Sequence, residues 1–478
     1  MPVLKNPDTK HPCYKRYVQR WQLIRDFVAG AFAVKEAAQL YLPMLTAQSE
    51  NEYASYKFRA LFLGATQRTL NGFVGMIFRK PPKIEASDDS KEEFLKRCTS
   101  KRKAFVSLAR QSCRELLQMG RFALLVDIPE EAPANSDPWI SVYPAENILN
   151  WEYGEDEKGD PLLIHVILRE EVEEKEKDDP DETCCVTQWR ELELINGIYT
   201  VTIWRKEESN DKKGFVIVDG PRAIVANGRT LDQIPLVLTD LSDDEGELNP
   251  PMEPVAQVNH SHYLSSADLE HGRHFTALPT PWATGVTSKD TQLKIGSQTA
   301  WMIGEATAKV GMLEFTGLGL GALEKAIEQK MSMMAVLGAR LLEEPKRAVE
   351  AADTHQTRRG EEQSVLAAIA LAAQQALNNA LKLALLFKPT LGEITTELNT
   401  EFSVIQMDPQ ELTALVAALQ SGAISEEVFF YNLEQAEMYP LDHTFEDEQK
   451  QRDAANQRRV DAEVSRLKAM PADNLSTP

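Results

Sequence analysis

Apolar side chains in the first quarter of the chain recur every three or four positions, a spacing typical of amphipathic helices. This pattern predicts three helices, over residues 16–42, 52–78 and 91–119. Pro43, Pro81-Pro82 and Gly120 are placed to end them, because proline cannot continue a helix and glycine readily caps one. The short apolar run over residues 121–127 then predicts a buried strand.

Residues 139–240 show a different pattern, in which short runs of β-branched and aromatic residues are separated by turn residues. The predicted strands cover residues 162–168, 184–189, 198–204 and 215–218. Asn196-Gly197 predicts a tight hairpin turn between two of them. The acidic segment 170–182 is interpreted as a solvated hairpin tip. We therefore predict an antiparallel meander rather than a βαβ array.

From residue 250 the helical pattern returns and continues towards the C-terminus. The predicted elements are helices over 252–277, 321–344 and 361–387, a strand over 393–404, and a charged helix over 446–468. The third of these helices carries a polar stripe, with side chains spaced about four positions apart. The stripe consists of Gln374, Gln375, Asn378, Asn379 and Lys382. The fold class predicted for the whole chain is α+β, predominantly helical.

The composition narrows the possible classes of protein. Of the 478 residues, 43% are hydrophobic, which is too many for a disordered chain. Lys and Arg number 52 and Asp and Glu 73, and this net charge of −21 argues against a general basic surface that coats nucleic acid. The five cysteines form no CxxC pair, which argues against a zinc finger or a disulfide scaffold and fits a reducing compartment. The first residues lack the apolar segment of a secretory signal, and the uncharged stretch 363–381 contains too many amides for a membrane helix.

Motifs that would indicate catalysis are few. The sequence contains neither a GxxxxGK[ST] P-loop nor a GxSxG nucleophile motif. The glycine-rich segment 316–321 lies between a predicted strand and a predicted helix, as in a dinucleotide-binding turn, but no parallel strand is predicted to follow. A glycine-rich hinge is therefore favoured over an oxidoreductase that would use Gly317, Gly319 and Gly321.

Four histidines lie on one predicted helix, at positions 260, 262, 271 and 274. Imidazoles at such spacing could bind zinc, but no HExxH pattern accompanies them. Polar or interfacial histidines on a long helix are the favoured interpretation. We therefore expect a protein that is not an enzyme and that uses no cofactor and no metal.

Three groups of residues resemble one known family. They are Tyr56-Lys-Phe-Arg59 with the run 71–82, the run 250–268 with Pro279-Thr-Pro281, and Leu313-Glu-Phe-Thr-Gly-Leu-Gly-Leu320 followed by 338–342 and 357–361. These strings resemble the portal (head-to-tail connector) proteins of tailed bacteriophages, in a portal-like branch catalogued as a domain of unknown function. The resemblance spans residues 50–390, approximately, and none of its strings is a catalytic signature.

The resemblance implies a subunit with wing, stem, clip and crown regions that assembles into a ring. It implies a wing over residues 1–250, with a helical part (1–128) and an antiparallel β-rich part (129–250). The remaining regions it implies are stem helices over 251–278 and 318–345, a clip over 279–317, a tunnel loop and tunnel helix over 346–390, a wing strand over 391–410, and a helical crown and C-terminal tail over 411–478.

The resemblance also implies a function. Portal subunits form a homo-oligomeric ring, usually a dodecamer, at one capsid vertex of the virion, and double-stranded DNA is packaged and ejected through its channel. The implied partners are the major capsid protein, terminase and then a tail adaptor, with assembly in the host cytoplasm and no membrane in the mature ring. The candidates for contact with DNA are the cations Lys346, Arg347, Arg358, Arg359, Lys382 and Lys388.

Alternatives stay open at this point. A different ring-forming head–tail adaptor or minor head protein is the main one, although such proteins are usually shorter. Each single cation could also be an ordinary solvated charge or part of a salt bridge between subunits. The acidic segment 170–182 could face solvent or a scaffold partner.

Overall fold

A computed structural model gives the architecture of most of the chain. It describes residues 6–85, 89–129, 136–156, 158–175, 179, 181–209, 212–242, 247–277, 280–285, 307–313, 317, 319–340, 364–402, 409–421, 423–435 and 445–468. The chain forms two compact units, Met1–Thr400 and Glu401–Pro478. Both helices and strands are present, and more of the described residues lie in helices, which confirms the α+β class.

Six α-helices open the described part of the N-terminal unit. They are α1 (Pro12–Ala29), α2 (Ala31–Glu36), α3 (Glu50–Arg59), α4 (Ala65–Ile77), α5 (Asp89–Lys96) and α6 (Phe105–Met119). They occupy the three predicted helical regions, but each predicted long helix is divided into two. Gly120 follows α6 with φ 69°, the left-handed cap that the sequence predicts.

Local backbone geometry and tertiary contacts explain these divisions. Gly30 has φ 104°, outside the helical region, and separates α1 from α2. Ala60 is buried and extended (ψ 125°), so the chain leaves α3 there and re-enters a helix at Ala65. Between α5 and α6, the Cys98 carbonyl accepts a hydrogen bond from the Ile140 N–H (2.7 Å), which ties the chain to a strand. The predictions of single helices over 16–42, 52–78 and 91–119 are therefore wrong.

The strands of the central region follow. They are β1 (Lys83–Glu85), β2 (Arg121–Asp127), β3 (Trp139–Pro144), β4 (Ile148–Glu155), β5 (Pro161–Lys175), β6 (Thr183–Ile195), β7 (Ile198–Ser209), β8 (Lys212–Ala223), β9 (Val225–Ala226), β10 (Arg229–Thr230) and β11 (Leu236–Asp240). Strands β4 to β8 form a five-stranded antiparallel sheet in sequence order, which confirms the meander. Asn196 and Gly197, with φ 53° and 75°, form the predicted hairpin turn between β6 and β7.

The acidic segment is structured differently from its prediction. Residues 170–175 belong to β5 and pair with β6, up to the pair Lys175–Thr183. Glu170 accepts hydrogen bonds from Arg190 and from Gln188. The interpretation of segment 170–182 as a solvated hairpin tip is therefore wrong for residues 170–175. Residues 176–178 and 180 lie outside the described part.

A second sheet has three antiparallel strands in the order β11-β2-β3, with the apolar strand β2 in the centre. A half-buried ionic cluster joins it to the five-stranded sheet. Arg190 of β6 contacts Glu170 of β5 (2.7 Å) and Asp127 of β2 (3.2 Å). Tyr143 of β3 donates a hydrogen bond to the same Glu170. Burial raises the pKa of Asp127 above its ordinary value, against the opposing effect of Arg190.

The rest of the N-terminal unit is mainly helical. It contains α7 (Glu253–Ala277), β12 (Thr280–Thr284), β13 (Lys309–Leu313), α8 (Leu320–Arg340), α9 (Val365–Phe387) and β14 (Thr395–Glu397). The three predicted helices are confirmed within the described residues. Helix α9 starts after Ser364, whose hydroxyl accepts a hydrogen bond from the Ala367 N–H. The predicted strand over 393–404 shortens to β14, which pairs with β1, and residues 403 and 404 are outside the described part.

Helix α9 forms part of the core of this unit. It packs against α6 and against strands β2 and β11 of the three-stranded sheet. Its buried positions are apolar, most of them alanine or leucine. A second, aromatic cluster joins the N-terminal helices to α7 and includes Phe27, Tyr41, Tyr53, Tyr56 and Tyr263. None of the helices in the part described is long and apolar enough to cross a membrane.

The C-terminal unit contains α10 (Pro409–Gln420), α11 (Glu426–Gln435) and α12 (Phe445–Lys468). Arg452 of α12 makes two contacts with the carboxylate of Glu426 of α11, at 2.6 and 3.0 Å. The rings of Phe430 and Phe445 lie 5.6 Å apart between the same two helices. These contacts agree with the helical C-terminal segment that the sequence predicts.

We expect Asn378→Ala to destabilise the N-terminal unit by about 1–3 kcal/mol, because it leaves two backbone groups unpaired. The Asn378 amide of α9 accepts from the Thr396 N–H (2.9 Å) and donates to the Thr396 carbonyl (3.1 Å). Urea denaturation, with hydrogen exchange at the Thr396 amide, measures the effect. Asn379→Ala is the matched control, since Asn379 is exposed. Equal stability of the two variants would contradict the role given to Asn378.

Candidate functional site

Helices α7 and α8 form an antiparallel pair. Arg273 near the end of α7 contacts Glu324 near the start of α8 (2.8 Å). Further along, the Lys330 ammonium donates to the Ser261 carbonyl (2.9 Å) and to the Ser265 hydroxyl (2.6 Å). These contacts fix the register of the two helices.

A two-stranded antiparallel ribbon, β12–β13, joins the ends of these helices. The ring of Trp282 covers Gly311 so closely that a Cβ at that position would lie 2.8 Å from it. Trp282, Val310 and Met312 are nevertheless 42%, 54% and 56% exposed. The ribbon therefore presents large apolar side chains to solvent.

The outer side of α8 is also apolar and exposed. Among its residues only Met334 and Gly338 are buried, where α8 faces the rest of the unit. Met331, Met333 and Val336 are each about half exposed. We call these three residues the α8 outer face. Such a concentration of exposed apolar side chains indicates an interaction surface.

The predicted polar stripe of α9 separates into two rows. Gln374 and Asn378 point towards β14, where they bond the backbones of Leu398 and Thr396. Gln375, Asn379 and Lys382 are exposed. The prediction of a single wet stripe is therefore wrong, and Lys382 lies in the exposed row.

The other five candidate cations are placed as follows. Lys388 forms an ion pair with Asp137 at 2.6 Å, so its charge is already partnered within the subunit. This pairing weakens it as a contact for DNA. Lys346, Arg347, Arg358 and Arg359 lie outside the described residues. Of the six, the structure therefore places two, the exposed Lys382 and the paired Lys388.

The histidines of α7 take separate roles in packing. His260 lies 2.9 Å from the Tyr41 carbonyl, and His271 lies 3.4 Å from the Arg59 guanidinium. Burial, and then the nearby Lys330, lower the pKa of His262 below its ordinary value of 6.5. Among the described residues, no cluster of His, Cys, Asp and Glu could hold a metal ion.

The glycine-rich segment 316–321 is described at Gly317 and from Gly319 onwards. Gly317 adopts φ 67° just before α8 begins at Leu320. Strand β13, which precedes it, pairs antiparallel with β12. A dinucleotide-binding turn belongs to a parallel βαβ unit, so this geometry does not fit that use.

The sequence analysis missed the α8 outer face and the exposed ribbon. Their apolar residues were used only to predict helices and strands from periodicity. Periodicity does not show whether an apolar face packs against the protein or is exposed to solvent. The signal that could have indicated them is the sequence of α8 itself. Met333 and Val336 are apolar and lie off the side that carries Met334 and Gly338, and Met331 lies beside that side, three positions before Met334.

Comparison with known proteins gives one family match. The profile of a family described as "Domain of unknown function (DUF4055)" matches residues 251–388, the segment from the start of α7 to the end of α9. A comparison with curated proteins finds no match.

Among solved structures, the chain is similar to one from the neck of an empty gene transfer agent particle computed with C6 symmetry. The identity is 13%, the TM-score is 0.38, and the match covers 82% of this chain and 95% of that one. A chain from the virion of a native gene transfer agent particle gives 12% identity and a TM-score of 0.37, with 84% and 98% covered.

We expect Lys330→Gln to raise the pKa of His262, because it removes a nearby positive charge. The value should stay below 6.5, since burial remains. Because the pKa of His262 is lowered in the folded state, folding favours the neutral ring. The corresponding contribution to the free energy of unfolding is fully present above pH 6.5 and is lost as the pH falls through the folded-state pKa. The variant should therefore lose less of this contribution on acidification. An NMR titration of the His262 ring measures the shift, with exposed Lys325→Gln as control. A pKa unchanged by Lys330→Gln would contradict the expectation.

Proposed function

We propose that the chain is a subunit of a phage-type portal ring, which surrounds a channel for double-stranded DNA at one vertex of a capsid. The observation that carries the proposal is the order of elements over residues 251–388. A helix, an exposed ribbon, an antiparallel helix and a third long helix follow one another there. This order matches the stem, clip, stem and tunnel helix that the sequence resemblance implies, and the family match covers the same residues.

The exposed apolar surfaces support association of identical subunits. The α8 outer face would be covered if neighbouring copies packed side by side, and the ribbon would stay open to a docking partner. When one such surface meets a different surface of the next copy, a ring forms if the rotation between copies closes. Burying three half-exposed apolar side chains contributes up to a few kcal/mol at each contact, at about 25 cal/mol per Å².

The charge of the chain suits a channel through which DNA moves. Duplex DNA carries about one negative charge per 1.7 Å, and a strongly basic bore would retain it. A chain of net charge −21 with a few cations near the channel would hold DNA only transiently. Lys346, Arg347, Arg358 and Arg359 and the exposed Lys382 are the proposed contacts. Lys388 is left out because Asp137 engages it.

The remaining parts of the proposal concern assembly. Terminase would dock on the ring during packaging and a tail adaptor afterwards, with the ribbon β12–β13 as the docking region. The major capsid protein would surround the ring in the virion. The protein would hydrolyse no nucleotide itself, and the motor activity would belong to terminase.

The ring can be tested by negative-stain imaging of the purified protein. We expect rings with a central hole for the wild-type chain. The triple variant Met331→Glu, Met333→Glu, Val336→Glu should give monomers or open arcs, because charges on the α8 outer face resist burial. The control is Val218→Glu, Val225→Glu, which alters two exposed valines elsewhere. A wild-type chain that stays monomeric, or a triple variant that closes rings normally, would contradict the proposal.

Contact with DNA can be tested by reversing two charges of the loop, Arg358→Glu and Arg359→Glu. Rings should still form, while the amount of DNA retained after packaging should fall about tenfold, since cations near the channel are replaced by repelling charges. The measurement is nuclease-protected DNA per particle. Lys158→Glu with Arg229→Glu, two exposed cations on the β-rich part, is the control. Normal retention in the Arg358/Arg359 variant would remove this loop from DNA handling.

A further inference from the structure

Helices α4 and α6 lie side by side in the N-terminal unit. Arg114 of α6 donates a hydrogen bond to the side chain of Asn71 on α4 (2.8 Å). One turn earlier on α6, the guanidinium of Arg110 lies over the ring of Phe78 at the end of α4, 5.0 Å from its centroid. Because Phe78 follows Asn71 while Arg110 precedes Arg114, the two helices run antiparallel, and both arginines reach across to α4.

Arginines and glycines share the outward side of this pair. On α4, Arg68, Gly72 and Gly75 are exposed, and their spacing of four and three residues places them on one side of the helix. A Cβ added at Gly72 or Gly75 would meet no atom within 4 Å, so the space above them is open. On α6, Arg110 is exposed and Arg114 is partly exposed. We call these five residues the α4–α6 arginine face.

The segments that form this face contain no acid. Residues 65–80 and 105–114, all of them described, include neither aspartate nor glutamate. Glu115, the next residue of α6, is buried and pairs with Arg25 at 2.7 Å. Burial, the largest cause, lowers the pKa of Arg114, so the attraction of Glu115 does not offset the loss of solvent.

Acids on the elements that pack most closely against α4 and α6 have partners of their own. Those elements are α1, α7, α9, β2 and β3, of which α9 and β3 contain no acid. The acids of the other three and their partners are Asp26 with Tyr41, Glu253 with Arg20, Asp268 with Tyr56, Glu270 with Arg273, and Asp127 with Arg190. In contrast, Arg68, Arg110 and Arg114 form no ion pair within the described part of the chain. The face is therefore positive, although the whole chain has a net charge of −21.

The chemistry of the face favours a nucleic-acid backbone over a protein partner. Arginine presents a planar fork of donors that matches two oxygens of a phosphate. Arg110 and Arg114 are neighbours on α6, and Arg68 is the neighbour of Asn71 on α4, so the three guanidiniums form one group. Among the exposed positions of these two helices, which are described throughout, Val106 alone carries a large apolar side chain. Interfaces between proteins have an apolar centre rich in aromatic residues, and this face has none.

We propose that the α4–α6 arginine face binds the phosphate backbone of duplex DNA, whatever the base sequence. The arginine forks donate to phosphate oxygens, and the lack of side chains at Gly72 and Gly75 lets the strand come close to α4. The face lies outside residues 251–388 and is complete within one subunit, so it rests neither on the ring nor on the loop cations Arg358 and Arg359. Because the chain as a whole is acidic, binding is weak and falls steeply as salt is added.

Binding is measured by fluorescence anisotropy of a short labelled duplex titrated with the full-length protein. The triple variant Arg68→Gln, Arg110→Gln, Arg114→Gln should bind about tenfold more weakly or worse. The slope of log K against log salt should become shallower by about 2.7, because three phosphate contacts are lost. Two duplexes of unrelated sequence should bind within about threefold of each other, since phosphate contacts do not read bases.

A chemical footprint locates the contact directly. The duplex should protect Arg68, Arg110 and Arg114 from modification by phenylglyoxal, measured by mass spectrometry. Arg229 is exposed on the β-rich part and should stay reactive.

Lys158→Gln, Arg229→Gln, Lys325→Gln is the matched control, since it removes three positive charges at exposed sites elsewhere. Thermal melting checks that both variants fold. Arg68→Gln alone, at an exposed position, should make the salt slope shallower by about 0.9 even if the triple variant unfolds.

Three results would overturn the proposal. They are equal binding by the triple variant and its control, no protection of the arginines of the face, and displacement of the duplex by polyglutamate at equal charge, which would indicate an acidic polypeptide as the ligand. Ring formation is imaged separately, so each of these results leaves the proposed ring unaffected.

Discussion

Burial of α9 is the constraint on which the N-terminal unit depends. Its apolar side chains pack against α6 and the three-stranded sheet, and its amides bond the backbone around β14. The small side chains matter here, because alanines let a helix approach a sheet closely while leucines fill the remaining space. Strand β14 has β1 as its strand partner, and side chains of α9 bond its backbone as well. Removing α9 would therefore expose a sheet face and remove the side-chain hydrogen bonds to the backbone around β14.

Helix α8 shows the opposite situation within the same unit. It packs mainly against α7, and most of its remaining surface stays in contact with solvent. The free energy falls when methionine and valine side chains leave water. A chain with this surface is therefore more stable when another molecule covers it. The ribbon at the end of the α7–α8 pair has the same property, with Trp282 and Met312 exposed. The contrast between α9 and α8 separates the helix that stabilises the N-terminal unit from the helix that exposes apolar side chains to solvent.

Sequence periodicity found the helices because each buries one face, but it overestimated their lengths. The division of the predicted helix over 91–119 depends on the Ile140–Cys98 hydrogen bond, a contact between residues far apart in sequence. Helical spacing of apolar residues carries no information on such a contact. The meander was predictable because Asn196-Gly197 and the β-branched runs act locally. The length of β5 was not, since its charged end is held by pairing with β6.

Partners of charged residues were the least predictable feature of the candidate site. Lys388 looks like a free cation in the sequence, yet its partner Asp137 lies 251 positions away. Glu170 looks like part of a solvated acidic run, yet Arg190 and Tyr143 engage it inside the protein. A charge that is desolvated must be paired, whereas a charge on a tight exposed turn need not be. This distinction, which only tertiary structure supplies, separates the paired cations that stabilise the fold from those, such as Lys382, that are exposed to solvent.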